Sequence, residues 1–426
     1  MEESASMEIQ PTTALINNED QNNELVIEIR KMAERPEIQS SKQCCIYKVQ
    51  HQLRNWNEKA YTPQVISIGP IHHKNEKLKA MEEYKERFFR SFVKRTNIKL
   101  EHLVRTIREM EEDIRGRYAE TIDLDSDRFV KMILVDACFI LELLEMDDLI
   151  VEPRAVAVMF DLLLLENQLP FFVIEKLRQL AFPSPSSFSN YDALLKLSKE
   201  YFRPSYDFQF RDDLPNREIY HFTDLLRSVQ LPPPKNQPER RVYQRIPLMY
   251  TATQLHEAGV KFEVGTSECC FDVKFEKGVL KIPALELNDW TEVIIRNIMA
   301  LEQTCYIEDA YFTDYFLLMD SLIDTTKDVD LLCDKKILVN FLGDNDAAKS
   351  MINDLNKGII LVTKRHDYID LCDKLNSFYT KPWHSWKATL IHQYFSTPWR
   401  AASTVAAIIL LVLTFIQTVC SITQAT

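Results

Sequence analysis

Glu166, Asn167 and Gln168 stand side by side in an apolar run, Asp161-Leu-Leu-Leu-Leu-Glu-Asn-Gln-Leu-Pro-Phe-Phe-Val173. A carboxylate flanked by amides could build a ligand site, or Glu166 could move a proton as a general acid or base. The same three side chains could instead cap a helix break and tie it to neighbouring backbone. That is the commoner fate of buried polar groups, because an unpaired one is costly. Asp136 and Glu142 fall in another apolar stretch, where burial would perturb their pKa values; structural pairs do this as often as active sites do. His72-His73 follow Gly69-Pro70, so a turn presents them. Adjacent histidines do not easily share one metal, and no Cys/His pair at ligand spacing accompanies them, which favours hydrogen bonding. His256-Glu257 lacks the second histidine of H-E-x-x-H, so it makes no zincin site and reads as a helix end packed on a β-element. Cys269-Cys270 would point to opposite faces of a strand. The polar candidates are therefore Glu166, Asn167, Asp136 and His256. No residue is assigned to catalysis, to a cofactor or to a metal.

These residues need elements to position them. The run before Pro170 has helical length and no strand alternation, which predicts a buried helix from about Arg154 to Asn167. Pro170 ends it, lacking an N–H and clashing with the preceding turn. Phe171 to Ala181 is the next helix, with Phe171 and Phe172 in the core. Upstream, Leu78 to Arg95 carries Met81, Tyr84, Phe88, Phe89 and Phe92 at helical spacing. Ile98 to Tyr118 is a charged helix. Asp125 or Ser126 caps a helix from Asp127 to Met146 that is apolar nearly all round and belongs in the core. Tyr191 to Phe202 and Ala252 to Glu257 are short helices, the latter stopped by Gly259. From Val260 the period becomes two. Val260–Val264, Phe271–Phe275 and Val279–Ile282, with a turn at Glu276-Lys-Gly278, predict a small antiparallel β-element over 260–284. Asn288 or Asp289 caps the next helix, which reaches Thr304, and Asp289-Trp-Thr-Glu292 fits a capping box. Helices at 309–324, 328–342, 345–357 and 364–395 follow.

Length and composition bound the function. The 426 residues suit two or three domains or one large helical body. A net charge of −12 argues against nucleic-acid binding. Seven scattered glycines exclude a P-loop, a dinucleotide fingerprint and a G-x-S-x-G elbow, each of which needs close glycines. Nine cysteines without a framework suggest reduced thiols in a cytosolic setting.

Residues 1–40 are polar and read as disordered, with one short helix near Asn23 to Glu34. A mainly helical body spans 41–400. Composition shifts near 183–190 and 229–248 mark internal boundaries, the second holding the proline-rich Leu231–Pro238 loop. Residues 401–422 carry no charge and reach ~33 Å as a helix, enough to cross a bilayer's hydrocarbon core. Val405, Ile408, Leu411 and Phe415 are its membrane-anchoring residues. Lys381, Lys387 and Arg400 precede this span and no Lys or Arg follows it. The expected arrangement is a single-pass tail anchor with the body in the cytosol. No secretory signal and no Asn-x-Ser/Thr acceptor occurs.

Five segments then occur in a telling order. They are Pro63-Gln-Val-Ile-Ser-Ile-Gly-Pro-Ile-His-His73, Met81-Glu-Glu-Tyr-Lys85, Asp136-Ala-Cys-Phe-Ile-Leu-Glu-Leu-Leu144, Asp161–Val173 and Ala252-Thr-Gln-Leu-His-Glu-Ala-Gly-Val-Lys-Phe262. Together they resemble the plant-specific domain of unknown function family 247 over about residues 44–415. Ile71 stands where an aromatic residue is frequent, and Gln254 where an acidic one is. The resemblance implies a helical body with a C-terminal membrane segment, no established activity and no assigned catalytic residues. Two classes of function remain. One is a membrane-anchored, non-catalytic interaction or signalling protein, with the lipid bilayer and other proteins as partners. The other is an enzyme with an unrecognised site near Glu166, Asp136 or His256.

Overall fold

The computed structural model describes residues 25–27, 29–30, 44–146, 153–183, 189–203, 217–232, 241–242, 247–267, 269–360, 364–381 and 398–425. Most of the expected disordered stretch, residues 184–188, 233–240 and 243–246 of the two expected internal boundaries, and Lys387 lie outside them. Contacts divide the chain into residues 1–44 and 45–426. In the first unit, residues 25–27 and 29–30 are helical.

The second unit opens with α1 (His51–Arg54), α2 (Ala80–Thr96), α3 (Leu100–Glu109), α4 (Glu111–Arg115) and α5 (Ser126–Leu144). The expected helix 98–118 is thus two, broken at Met110. α5 is the central element: from Phe129 to Leu144 only Lys131 escapes burial. Asp125 caps it by accepting the Arg128 N–H at 3.0 Å, as its position predicts. The α2 stripe packs on it, with the Phe88 and Phe139 rings 5.1 Å apart.

Next come α6 (Pro153–Asp161), α7 (Phe171–Ala181), α8 (Asn190–Phe202) and α9 (Phe222–Ser228). The expected helix 154–167 stops at Asp161, and Leu162–Leu169 is buried irregular chain. Phe171 is in the core, edge-on to Tyr191 and Phe222; Phe172 is only half-buried.

The remainder runs β1 (Arg241–Val242), α10 (Ala252–Glu257), β2 (Lys261–Gly265), β3 (Lys274–Glu276), β4 (Val279–Pro283), β5 (Leu285–Leu287), α11 (Thr291–Cys305), α12 (Tyr311–Leu322), α13 (Thr326–Asp334), β6 (Leu338–Asn340), α14 (Asn345–Leu355), β7 (Lys364–Arg365), α15 (His366–Thr380) and α16 (Pro398–Ala425). β3 and β4 form the expected antiparallel hairpin. Lys277 and Gly278 both take positive φ at its turn, 50° and 82°, as the tight hairpin twist requires. β2 pairs with β4 in parallel, so the sheet is mixed, in the order β2-β4-β3. Alternation identifies a strand's faces but not its neighbour's direction, so the parallel pairing had no sequence signal. Phe271 and Val273 precede the strand, and Cys269-Cys270 lie in the same turn region.

Four further boundaries differ. The expected helix 328–342 is α13 followed by β6, which pairs in parallel with β5. α11 is not started by a box between Asp289 and Glu292. Asn288 and Thr291 cap each other reciprocally instead, the Asn288 Oδ1 accepting the Thr291 N–H at 3.1 Å and the Thr291 Oγ1 accepting the Asn288 N–H at 2.9 Å. The last expected body helix is described as α15 to Thr380; residues 382–395 lie outside the described residues. α16 is longer than the expected 401–422. Within it, Ala402–Val419 has a mean hydropathy of 2.2 and no buried residue.

Candidate functional site

Ile66–Gly69 and Leu162–Leu169 are buried without regular structure, so their backbone N–H and C=O groups need partners other than a helix or sheet ladder. The polar side chains of the Asp161–Val173 motif supply them. The Asp161 carboxylate accepts the N–H groups of Gln64 at 2.8 Å, Val65 at 2.6 Å and Ile66 at 2.8 Å. Asn167 accepts the Ile68 N–H at 2.7 Å and donates to the carbonyls of Ile66 and Asp161 at 3.0 and 2.9 Å. Gln168 donates to Leu162 and Leu164 carbonyls at 2.6 and 2.7 Å and accepts the Phe222 N–H at 2.9 Å. Asn167 and Gln168 thus hold the chain that leaves α6, which is why that helix ends early.

Glu166 is fully buried. One carboxylate oxygen accepts the Val49 N–H at 2.7 Å; the other meets both Arg54 Nη2 and His72 Nε2, the latter at 2.9 Å. Burial alone would raise its pKa. The hydrogen bonds from His72 and Arg54, with the Arg54 charge, outweigh that and hold it below the usual carboxylate range. For Asp161 burial wins: its carboxyl is pushed up to about 6 against the pull of the three N–H groups and His72.

Asp136 on α5 reaches the same loop. It accepts the Gly69 N–H at 2.9 Å and pairs with Lys85 of α2 at 2.6 Å, while Lys85 also donates to the Ser67 carbonyl at 2.9 Å. Both side chains are buried. Burial pulls Lys85 down, but Asp136 and Glu82 overcome it and hold the ammonium above its ordinary value. Gly69 sits at φ +71°, and a Cβ there would come within 2.6 Å of the Gln168 carbonyl oxygen. Only glycine lets the loop lie this close to the motif.

The structure therefore gathers Glu166, Asn167 and Asp136 around the 64–72 loop. His256 does not join them. Its Nδ1 lies 3.2 Å from the Val260 carbonyl oxygen and its ring faces Phe262, at the corner of α10 and β2. Sequence reasoning passed over Asp161, Lys85, Arg54 and Asn297. The last accepts the Leu165 N–H at 2.9 Å and donates to the Ala60 carbonyl at 2.7 Å. Asp161 and Lys85 did carry a signal, as charged residues inside otherwise apolar patterns. Also missed is a second buried pair, Arg227 and Glu302 at 3.1 Å, with the guanidinium over the Tyr306 ring. Among the described residues no group of three His, Cys, Asp or Glu side chains is arranged to hold a metal.

The arrangement binds protein to protein. Each oxygen of Glu166, and each polar atom of Asn167 and Gln168, has a partner within the chain, so this cluster acts as a pin between α1, the 64–72 loop, α6 and α9. Beside it lies a cavity of about 230 Å³, bounded by Lys48, the 70–74 loop and residues 118–124.

A family of plant proteins of unknown function, domain of unknown function 247, matches residues 46–413. The chain belongs to that family. Two Arabidopsis thaliana proteins are similar to it across most of both chains. UPF0481 protein At3g47200 is 28% identical over 418 residues, covering 89% of this chain and 86% of the relative. Putative UPF0481 protein At3g02645 is 24% identical over 471 residues, covering 87% and 89%. No solved structure matches. The family's printed description names no activity. Four of the five segments that carried the resemblance, 63–73, 81–85, 136–144 and 161–173, meet around Glu166 and Asp136; Ala252–Phe262 does not.

Proposed function

We propose that this member of the family is a membrane-anchored, non-catalytic interaction or signalling protein, with its helical body in the cytosol. The observation that carries the anchoring is α16. Val405, Ile408, Leu411 and Phe415 are 46%, 52%, 71% and 70% exposed. In water such a helix would leave its apolar surface unburied at ~25 cal/mol per Å². A bilayer removes that cost, and α16 is long enough to span it. Lys381 and Arg400 lie on the body side of the span, where positive charge favours the cytosol. Free thiols at Cys138, Cys270 and Cys333 suit the same compartment.

The non-catalytic reading rests on the pin. A general acid or base must reach a substrate proton, whereas Glu166 spends both oxygens on Val49, Arg54 and His72. The Asp136 carboxylate is likewise taken by Lys85 and Gly69. An enzyme is the second reading, favoured by the cavity beside His73. Protease treatment of intact microsomes carrying the full chain tests the placement. Digestion of the body without detergent supports a cytosolic body, and protection until detergent is added rejects it.

A further inference from the structure

α2, α3 and α5 leave a groove of about 460 Å³ between them. Each helix lines it with residues three or four positions apart, which share one helix face. Phe89 comes from α2, Leu100 and Val104 from α3, and Val130, Leu134 and Val135 from α5. The three α5 side chains are buried, Phe89 and Val104 are half-buried, and Leu100 is exposed. Apolar surface left to water in this way costs ~25 cal/mol per Å².

Five charged residues complete the lining: Glu86, Arg90, Arg108, Asp127 and Lys131. Four of them pair with one another. Arg90 meets Glu86 at 3.9 Å along α2, and Arg108 meets Asp127 at 2.6 Å, which ties α3 to α5. Lys131 is left over. Between Val130 and Leu144 it is one of three charged residues, with Asp136 and Glu142. Those two are buried and answered, Asp136 by Lys85 at 2.6 Å and Glu142 by Arg95 at 2.8 Å. Lys131 is exposed and makes no ion pair with any described residue. A lysine so placed lays its alkyl stem along apolar surface and keeps its ammonium in water.

We propose that this groove binds a small apolar monocarboxylate, with its carboxylate on the Lys131 ammonium and its body against Phe89, Val104 and Leu134. Charge selects the head group. Arg90, Arg108 and Lys131 stand against Glu86 and Asp127, three cations to two carboxylates, so the lining carries one positive charge in excess. That excess matches a single negative charge, and Glu86 and Asp127 oppose a second. Volume selects the body. About 460 Å³ falls within the ~300–1,000 Å³ of small-molecule pockets, which are likewise mostly apolar with few polar groups. It is about three times the ~150 Å³ of a cavity that takes one benzene. Two rings and a head group fit, so 4-biphenylacetate is an apt probe. This site shares no residue with the Glu166 pin or with α16, so its failure would leave the anchored, non-catalytic reading untouched.

Equilibrium dialysis of 4-biphenylacetate against the full-length chain in phosphatidylcholine nanodiscs, corrected for empty nanodiscs, tests this. The expected result is saturable binding of one carboxylate per chain. Lys131→Gln should weaken it by about fivefold or more, Lys131→Arg should retain it, and Val104→Trp, which fills the groove, should abolish it. The corresponding alcohol should bind more weakly than the acid by a similar factor. No saturable binding overturns the proposal and leaves the groove to an apolar segment of another protein. So does binding unchanged in Lys131→Gln, or matched by the alcohol. Lys131 is exposed and unpaired, so its variants should melt as the wild type does. If Val104→Trp does not fold, Leu100→Trp takes its place, and undiminished binding in it is the contrary outcome.

Discussion

His72 Nε2 and Glu166 Oε2 lie 2.9 Å apart, across 94 positions of chain, with Arg54 on the same oxygen. Glu166 is the residue whose charge this contact protects, and its position in the pin makes the first prediction. Glu166→Gln keeps the shape but removes the charge that Arg54 and His72 face. Breaking a buried pair in this way costs about 3–5 kcal/mol. The folded pKa is lowered, so the charge contributes fully above the ordinary carboxylate value of about 4.5. That contribution is lost as pH falls through the lower folded value. Denaturant unfolding should show a constant deficit for the variant from pH 7 to about 5, shrinking only in stronger acid. A deficit under 1 kcal/mol at neutral pH would contradict a structural pin.

His221 shifts in the same direction, over a higher pH range. It is buried in the turn into α9, its Nε2 3.0 Å from the Cys45 carbonyl oxygen and its Nδ1 accepting the Asp224 N–H. Burial lowers its pKa from 6.5 to about 4. The unfolded chain therefore binds a proton that the folded chain refuses. His221 favours the fold fully above about pH 6.5 and progressively less down to about 4, by a difference on the order of 3 kcal/mol. Asp161, raised to about 6, gives an opposite slope between its ordinary value and 6, so the quantity to read is wild type against His221→Gln. The variant should lose stability at neutral pH yet lack the fall between pH 6.5 and 4. Parallel curves would place His221 in contact with water.

Phe171 and Phe172 are adjacent in sequence and unequal in the fold. Phe171→Ala empties a site ringed by Tyr191 and Phe222 and should cost ~3–5 kcal/mol. Phe172→Ala should cost clearly less, since that ring is half-buried with Arg117 over it. Thermal melts of the full chain in detergent give the order, and equal losses would contradict it.

Some of this was legible in the residues. α5 announced itself through the Asp125 cap and a long apolar stretch, and α16 through the absence of charge. The polar trio at 166–168 could be read as a tie to neighbouring backbone because buried amides demand partners. The end of α6 could not be read. Leu162–Leu165 continue an apolar pattern, and what stops the helix is Asn167 and Gln168 folding back on the carbonyls of Asp161, Leu162 and Leu164, while Asp161 and Asn167 also bond residues 64–68, about a hundred positions upstream. Pairings such as Arg227 with Glu302 and β2 with β4 likewise depend on distant partners that no local pattern names. His256 was singled out on residue type alone, and the fold gives it only a helix-end contact.

The membrane claim stands on α16, and alkaline extraction of membranes from cells expressing the full-length chain tests it most directly. The wild type should remain in the membrane pellet. Leu411→Arg, which adds ~2.5–3.5 kcal/mol to insertion at the helix centre, should shift protein into the soluble fraction. Wild-type protein released by alkali as completely as the variant would contradict a membrane-spanning α16, and with it the anchored function proposed for this chain.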